Sequence, residues 1–413
     1  SKQPAVWISG FYGSGKSHLA RVLEYLWKDL ELPSGVSART LVELPNDISD
    51  LLIELSTAGK REGGLWSAAG TLRDSAGPSV KLAVLHILFK AAGLPGEYPI
   101  AKFVIWLKQN GYYKDVKAHV KNAGKDFERE LLALYVSPFI AKALLSVYPD
   151  FANSDADARN LFREQYPKTS DISNDELTRS IEDVLELQSN NPGKLPLTLL
   201  VLDELQQFIG EISDRAGDLQ EVVQVCTARF GSKLLFLATG QSALEANLNL
   251  QRLQDRFTVK IQLDDKDVER VIRNVVLRKR PDKVSALTDV LDKNKGEIDR
   301  HLVGTNIGAV DADNDVLVPD YPLLPTRRRF WEKSLRAIDI AGTAAQLRTQ
   351  LRVTHEAVSD VADKELGTVV SADVIYWQQE PSMLQSGLLG RELATMISQL
   401  NDGTPKGKLR SRL

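Results

Sequence analysis

Hydrophobic residues fall into five short, nearly continuous runs, separated by long stretches in which apolar residues recur every three or four positions. The runs lie at about 5–9, 65–69, 197–202, 233–239 and 258–263. Continuous runs of this length are typical of strands buried on both faces of a parallel sheet, whereas the wider spacing predicts amphipathic helices. Their alternation predicts an α/β fold built on a doubly wound parallel sheet.

Two helical regions accompany the predicted sheet. The first is an insertion at about 71–193, with helices predicted at about 78–92, 100–109, 125–147, 155–165 and 174–189. The second is a C-terminal helical lid domain at 264–400, in which no further run of the core type occurs and the acidic stretch 311–320 is predicted to be a loop. A short basic tail at 401–413 is expected to be disordered. The core domain is therefore predicted to span 1–263, including the insertion.

The composition is that of a globular protein without a strong charge bias. The chain has 413 residues, of which 43% are hydrophobic, and 52 basic against 55 acidic side chains give a net charge of −3. This balance supplies no overall attraction to nucleic acid or to an anionic membrane. The single cysteine, Cys226, excludes an internal disulfide and is predicted to be a small core residue. With no signal peptide and no long apolar stretch, the sequence favours a cytoplasmic protein with no membrane partner. Because the chain starts without Met, we expect it to be a piece of a longer protein.

The strongest chemical signal is a glycine-rich loop between the first apolar run and the first predicted helix. The loop fits the pattern G-x-x-x-x-G-K-[ST], and its strand–loop–helix context predicts a phosphate site that binds ATP with Mg²⁺. Lys16 is expected to contact the β- and γ-phosphates, and the Ser17 hydroxyl to ligate Mg²⁺. The full predicted phosphate-binding set is Gly10, Phe11, Tyr12, Gly13, Ser14, Gly15, Lys16, Ser17 and His18. The alternative is a glycine-rich turn with a chance lysine.

Polar residues follow the third and fourth apolar runs. Asp203 is predicted to hold Mg²⁺ through water, and Glu204 to polarise the attacking water. Because such a pair also follows apolar runs by chance, its meaning depends on Lys16. Thr239 and Gln241 end the fourth run and are candidates to sense the γ-phosphate or orient the water, since ligands bind beyond the carboxyl ends of parallel strands. An ordinary strand-to-helix loop is the alternative for these two residues.

Several arginines are candidates for contacts with phosphate. Arg256 precedes the last run, where ring ATPases supply an arginine finger to a neighbouring subunit, so it predicts a homo-oligomer; Arg252 is a weaker candidate. Arg348 lies on a predicted helix of the lid and is a candidate to reach the γ-phosphate. The triple arginine 327–329 is the most basic point of the chain. It is interpreted either as a contact to nucleic acid or phosphate or as a solvated helix start.

An aromatic cluster in the insertion leaves a second kind of partner open. Four aromatic residues lie close together in sequence, with three lysines nearby: Phe103, Trp106, Tyr112 and Tyr113, with Lys102, Lys108 and Lys114. Stacked aromatics beside basic residues are typical of platforms for single-stranded nucleic acid. Packing between helices is the alternative interpretation.

The predicted topology and several motifs together resemble a known family. An extra strand, 233–239, between the glycine-loop strand and the carboxylate strand fits the additional-strand class of P-loop ATPases, and the helical lid makes it AAA+-like. The segments 7–19, 111–113, 202–204, 238–241, 321–325 and the helix around Arg348 resemble the large ATPases of BREX phage-defence systems, the BrxC/PglY family. The resemblance spans about 4–357. Gln241 departs from the asparagine more usual near this position in AAA+ proteins.

The resemblance implies a cytoplasmic AAA+-type ATPase that forms the amino-terminal ATPase portion of a longer protein. It implies other phage-defence proteins as partners in a complex that restricts phage DNA, with double-stranded DNA as a candidate ligand. Hydrolysis of Mg-ATP by an oligomer is the first functional hypothesis. An ATP-switched scaffold for protein partners or DNA, with little turnover, is the second. A nucleoside kinase is a weaker third, because no acceptor-binding lid is recognisable.

Overall fold

A computed structural model describes residues 5–10, 14–74, 79–210, 213–244, 248–263, 268–300, 303–338 and 347–412. The chain divides into two compact units: residues 1–10 with 15–263, and residues 11–14 with 264–413. Each unit has hydrophobic clusters of its own. Among the described residues, no helix combines the length and the apolar character needed to cross a bilayer.

The first unit is built on a five-stranded sheet. Its strands are β1 (Val6–Ser9), β2 (Leu65–Thr71), β3 (Leu197–Asp203), β4 (Leu234–Gly240) and β5 (Val259–Gln262). The strand order is β2-β3-β4-β1-β5, and every neighbouring pair is parallel. All five apolar runs are therefore strands, and the predicted α/β fold with a parallel sheet is confirmed. The fourth strand lies between the first and the third, as expected.

Helices cover both faces of this sheet. Helix α1 (Lys16–Lys28) packs on one face, where the cluster contains Ile8, Ala20, Leu199, Val201 and Leu237. The opposite face contributes Trp7, Leu200, Leu202 and Phe236 to a second and larger cluster, which also contains the insertion helices. Successive residues of β1, β3 and β4 thus enter different cores, which explains why their sequences are continuously apolar.

The remaining helices of the first unit surround these two cores. They are α2 (Asn46–Arg61), α3 (Val80–Ala91), α4 (Tyr98–Gln109), α5 (Tyr113–Asn122), α6 (Phe127–Leu132), α7 (Pro138–Val147), α8 (Asp155–Gln165), α9 (Asn174–Leu187), α10 (Leu205–Ile209), α11 (Ser213–Phe230) and α12 (Leu248–Gln251). Cys226 is fully buried on α11, as predicted, and burial raises the pKa of its thiol to about 12.

The predicted helix 125–147 is wrong, because the chain breaks it into α6 and α7. Pro138 has no N–H to continue a helix and is favoured in the first turn of a new one. The Ser137 hydroxyl accepts hydrogen bonds from the amides of Phe139 and Ile140, at 3.2 and 3.4 Å, and so caps the start of α7. The pair Ser137-Pro138 therefore signals the start of a new helix within a segment that the apolar spacing alone predicts to be one helix.

The aromatic residues of the insertion contact one another. Phe103 is fully buried, and its ring lies 4.9 Å from that of Phe162 and 6.2 Å from that of Trp106. Trp106 in turn contacts Tyr112, whose ring stacks on Tyr148 at 5.4 Å. These contacts join α4, α5, α7 and α8. The rings therefore take part in packing between helices, which is the alternative interpretation of the cluster.

The described part of the second unit is helical. Its helices are α13 (Val268–Val271), which continues into a π-helical turn (Ile272–Val276), α14 (Val284–Arg300), α15 (Asp313–Asp320), α16 (Pro325–Ile338), α17 (Leu347–Ser359), α18 (Val374–Gln385), α19 (Arg391–Leu400) and α20 (Pro405–Arg412). Two expectations were wrong here. The acidic stretch predicted as a loop contains α15, and the tail expected to be disordered contains α20.

Tertiary contacts account for both corrections. Asp313, in the first turn of α15, accepts hydrogen bonds from the Arg329 guanidinium at 2.5 and 2.8 Å. At α20 the Thr404 hydroxyl accepts a hydrogen bond from the amide of Gly407, and Arg412 donates to Asp373 at 2.7 Å. The pairs Asp313–Arg329 and Asp373–Arg412 join residues far apart in sequence, so local propensity carries no signal for them, whereas the Thr404 cap is local to the start of α20.

The triple arginine is neither solvated nor exposed for phosphate. Arg328 is buried and bonded to Asp320, Glu332 and Glu269. Arg327 donates to the carbonyl of Val370, and Arg329 belongs to the α15 contact described above. Both interpretations of the triple arginine are therefore wrong, because these side chains hold α16 to its neighbours.

Candidate functional site

The glycine loop is described in part. Gly15 precedes α1 with φ +89°, in the left-handed region that L side chains rarely adopt, although a Cβ there would meet no atom within 4 Å. The requirement for glycine is therefore one of backbone conformation. Phe11, Tyr12 and Gly13 lie outside the described residues, and Ser14 is grouped with the second unit.

Lys16 and His18 occupy the first turn of α1, and His18 is exposed. The Lys16 ammonium donates to the carbonyl of Gly10 at 2.7 Å. Partial burial lowers the pKa of Lys16, and the nearby carboxylates of Asp203 and Glu204 partly offset that effect. The loop, its lysine and the two predicted acids therefore share one electrostatic environment.

Three donors converge on a single oxygen of Asp203. Its Oδ1 accepts hydrogen bonds from Ser17 Oγ at 3.0 Å, from Thr239 Oγ1 at 2.6 Å and from the Glu204 amide at 3.1 Å. Ser17 and Asp203 are 186 positions apart in sequence. They meet because the parallel strands β1, β3 and β4 all end at this edge of the sheet.

The charge of Asp203 is not balanced by a contacting cation. Within the described ranges, no basic side chain forms an ion pair with it, and its hydrogen-bond donors are neutral hydroxyl and amide groups. A serine hydroxyl and a carboxylate oxygen 3.0 Å apart are the hard ligands that Mg²⁺ prefers. The described chain has no group of three or more His, Cys, Asp or Glu side chains that could hold a metal. The residues present therefore fit an ion that keeps water and phosphate ligands, as Mg²⁺ commonly does.

Glu204 has an unusual backbone conformation. Its φ of 54° and ψ of 32° are left-handed, and among the described residues only Asp29 is another non-glycine residue with positive φ. This turn ends the strand alternation, so Asp203 and Glu204 need not lie on opposite faces of the sheet. The Glu204 side chain is exposed, and its carboxylate makes no hydrogen bond within the described part of the chain. Such a group is available to a water molecule or a substrate.

Thr239 is buried and links the two acids. Its hydroxyl donates to Asp203 and accepts from the Glu204 amide at 2.9 Å. A hydroxyl has one proton to donate. Thr239 therefore orients the Asp203 carboxylate and the Glu204 backbone in this arrangement, whereas the sequence suggested that it senses the γ-phosphate or orients the water. Gln241 is exposed at the same edge, two residues further along.

One site residue, Gln206, and one contact beside the site, that of Arg73, were missed by the sequence reasoning. Gln206 on α10 accepts hydrogen bonds from the amides of Gln241 and Ser242, at 2.6 and 2.9 Å. Arg73, which follows β2, donates to the side chain and the carbonyl of Gln207, at 2.9 and 2.8 Å. The only available signal was a pair of glutamines in an otherwise apolar segment directly after the acids.

Arg256 is not brought to this edge within one chain. Arg256 precedes β5 and its carbonyl accepts from the amide of Ala5, so it lies at the amino end of the sheet. Its guanidinium donates to Gln224 at 2.6 Å. An effect of Arg256 on phosphate would require the site of a neighbouring copy, and this stays a prediction. Arg252 is exposed. The Arg348 side chain lies outside the described residues, although its backbone belongs to α17.

The assembled edge combines a left-handed glycine before a helix, a lysine, a hydroxyl beside an unbalanced carboxylate, and a second carboxylate without a hydrogen-bond partner in the described chain. These groups can hold a phosphate, share a hard cation and accept a proton from water. No known protein-family model matches this chain.

Proposed function

We propose that this protein binds ATP with Mg²⁺ at the carboxyl edge of its sheet and hydrolyses the γ-phosphate, as a P-loop ATPase of the AAA+-like class. The observation that carries the proposal is the convergence of Ser17 and Thr239 on Asp203, at 3.0 and 2.6 Å, next to Lys16. The strand order, with β4 between β1 and β3, supports the additional-strand class.

The residues have distinct roles in this proposal. The backbone amides of the loop and of the first turn of α1 bind phosphate oxygens, with His18 beside them, and Lys16 leaves the Gly10 carbonyl to contact the β- and γ-phosphates. Ser17 and Asp203 hold Mg²⁺, Asp203 through water. When bound, the ion neutralises charge on the transferring phosphoryl group. Glu204 orients the attacking water and accepts its proton. Thr239 holds the Asp203 carboxylate and the Glu204 backbone amide in place.

The proposal extends to assembly and cellular role. Arg256 would act on the site of a neighbouring copy in a homo-oligomer, and Arg348 of the lid would contact the γ-phosphate. The resemblance to BREX ATPases supports a cytoplasmic protein that works with other phage-defence proteins, with double-stranded DNA as a candidate ligand. ATP hydrolysis would then drive assembly or DNA-related work.

Steady-state ATP turnover and nucleotide binding of three variants, compared with wild type, test the hydrolysis proposal. Lys16→Ala should abolish nucleotide binding. Glu204→Gln should keep binding and lose turnover by about 10² or more, the scale of a lost general base. Glu186→Gln, on α9 and away from the strand ends, is a control that should turn over like wild type. Undiminished hydrolysis by Glu204→Gln would remove the assignment of Glu204.

A second candidate function is an ATP-switched scaffold with little turnover. It is favoured by the insertion, whose helices α3–α9 share a core with the sheet and contribute none of the hydrogen bonds to Asp203 described above. Turnover measured against protein concentration, with and without double-stranded DNA, separates the candidates. A steep rise with concentration supports the oligomeric ATPase. Slow single-turnover hydrolysis with a clear conformational response to ATP supports the scaffold.

A further inference from the structure

The short helix α10 is tied to the loop that follows β4. One side-chain oxygen of Gln206 accepts two successive backbone amides, from Gln241 at 2.6 Å and from Ser242 at 2.9 Å. Its amide nitrogen donates to the Ser242 hydroxyl at 2.7 Å. All the polar atoms of this one side chain are therefore engaged with a single loop, 35 and 36 positions away in sequence.

The same loop is also held from the side of β1. The Trp7 indole donates to the carbonyl of Ser242 at 3.1 Å. A Cβ added to Gly240 would overlap the Trp7 ring, so the loop leaves β4 in close contact with the indole. The contacts with Trp7 and with Gln206 therefore fix the path of the loop at two points.

This tie acts next to both groups proposed to handle water. Glu204 is the residue from which α10 begins, and Gln241 begins the tied loop. Below them, the Thr239 hydroxyl joins the strand ends through Asp203 and the Glu204 amide. The left-handed backbone of Glu204 is a conformation that surrounding contacts must maintain. Gln206 supplies contacts of this kind two residues further along the chain, in α10.

We propose that Gln206 is a positioning residue for hydrolysis: it fixes Glu204 and Gln241 relative to each other by joining α10 to the loop after β4. The inference rests on the proposed ATPase function and adds a residue to it. Gln206 acts through the two groups and touches neither substrate nor metal in this scheme. Its loss therefore affects the chemical step and leaves nucleotide affinity nearly unchanged.

The chemistry of the tie predicts which replacements preserve it. The two backbone amides need an acceptor, and the Ser242 hydroxyl can either donate or accept. A glutamate at 206 can accept from all three groups, so Gln206→Glu should retain the connection. Gln206→Leu offers no acceptor. In Gln206→Asn the side chain is one carbon shorter, so its amide ends further from the loop. If only side-chain volume mattered at this position, Gln206→Leu would hydrolyse ATP at the wild-type rate.

The test measures kcat and the affinity for a fluorescent ATP analogue in these variants, each with and without Glu204→Gln. Gln206→Leu should lower kcat by about tenfold to a hundredfold, the effect of displacing a catalytic group by about 1 Å. Affinity should change less than about threefold, and Gln206→Glu should recover most of the turnover. In the Glu204→Gln background, Gln206→Leu should cost less activity than it does in wild type, because part of its effect acts through Glu204.

Gln207→Leu is the matched control, since Gln207 bonds Arg73 and not the loop. It should turn over within about threefold of wild type, as for a substitution away from the tie. If Gln206→Leu fails to fold, Gln206→Asn should show the same loss of kcat. Wild-type turnover in the folded variant, or glutamate no better than leucine, would overturn the inference. Equal turnover of wild type and Glu204→Gln would instead remove the proposed function of Glu204, and this inference with it.

Discussion

Two aspartates, one in each unit, illustrate how the same carboxylate is used in different ways. Asp320 of the second unit is completely buried and accepts hydrogen bonds from the guanidinium groups of Arg273 at 2.5 Å and Arg328 at 3.0 Å. Asp203 of the first unit is half-buried, and its donors within the described ranges are neutral. Asp320 is neutralised and closed to solvent, whereas Asp203 retains charge at an accessible edge.

In the proposed function, this difference distinguishes a structural acid from one that binds a cation. A carboxylate with two arginines has no remaining need for a cation, and its removal would leave buried positive charge. A carboxylate held by hydroxyl and amide groups is oriented without being neutralised, so it can still bind a cation. The comparison therefore predicts that mutation of Asp320 changes stability and that mutation of Asp203 changes activity.

The largest effect is expected for Asp320→Asn. Removing its charge leaves Arg273 and Arg328 without their buried partner and should destabilise the second unit by about 3–5 kcal/mol. Hydrogen exchange resolved by peptide should show faster exchange in α15 and α16, with the sheet of the first unit unchanged. Asp315→Asn, exposed on the same helix, is the control and should change stability by about 0.5 kcal/mol or less. Unchanged exchange in α15 would contradict the structural role of Asp320.

The reverse result is expected for Asp203→Asn. The asparagine oxygen can still accept from Ser17 and Thr239, so stability should change by less than about 1 kcal/mol. Turnover should fall by about 10² or more, because the charge that holds the cation is lost. The measurement combines steady-state ATP hydrolysis with exchange in β3 and β4. The comparison would be contradicted if Asp203→Asn lost stability and its folded fraction still hydrolysed ATP at the wild-type rate.

A smaller effect is expected at Thr239, which orients Asp203 without carrying charge. Thr239→Val keeps the shape and removes the hydroxyl, so Asp203 and the Glu204 amide each lose one partner. Turnover should fall by about tenfold, the equivalent of one hydrogen bond. Thr239→Ser restores the hydroxyl and should retain most of the activity. Equal activity of the valine and serine variants would show that the linking hydroxyl is dispensable.

The smallest effect concerns Lys279, which lies near Asp320 in the second unit. Burial lowers the pKa of Lys279 to about 8, partly offset by Asp320. Between this value and the ordinary 10.5 the unfolded chain binds more protons, so the lysine's contribution to stability should rise with pH across that window. Because the side chain is only half-buried, the change should be about 1 kcal/mol. Urea unfolding at pH 7 and pH 10 should show it in wild type and not in Lys279→Met.

The central strands β1, β3 and β4 were predictable from the sequence because burial on both faces makes them continuously apolar, whereas β5 is exposed and alternates apolar with polar residues. Every run became a strand, and parallel topology then brought Ser17 to Asp203. The glycine loop and the terminal acids were recognisable because their chemistry requires fixed neighbours along the chain. Because these features involve residues that are neighbours along the chain, a single sequence is enough to identify them.

The parts that were not predictable depend on contacts between distant residues. Gln206 and Arg73 have no spacing that marks them, and only the folded chain shows what they bond. Helix α15 contains Pro319 and an acidic first turn, so its pattern favours a loop until Arg329 pairs with Asp313. The arginines after it were judged by their charge, although Arg328 and Arg329 pair with acids of the same unit and Arg327 donates to a backbone carbonyl.

The most direct test of the account is the affinity for ATP, measured by calorimetry with Mg²⁺ and with EDTA, in wild type and in Asp203→Asn. Wild type should bind ATP more tightly with Mg²⁺, and the substitution should reduce that advantage by about tenfold or more, the loss of one charged contact to the ion. Failure of wild type to bind ATP, or the same affinity with and without Mg²⁺, would contradict the claim that this edge of the sheet is a Mg-ATP site.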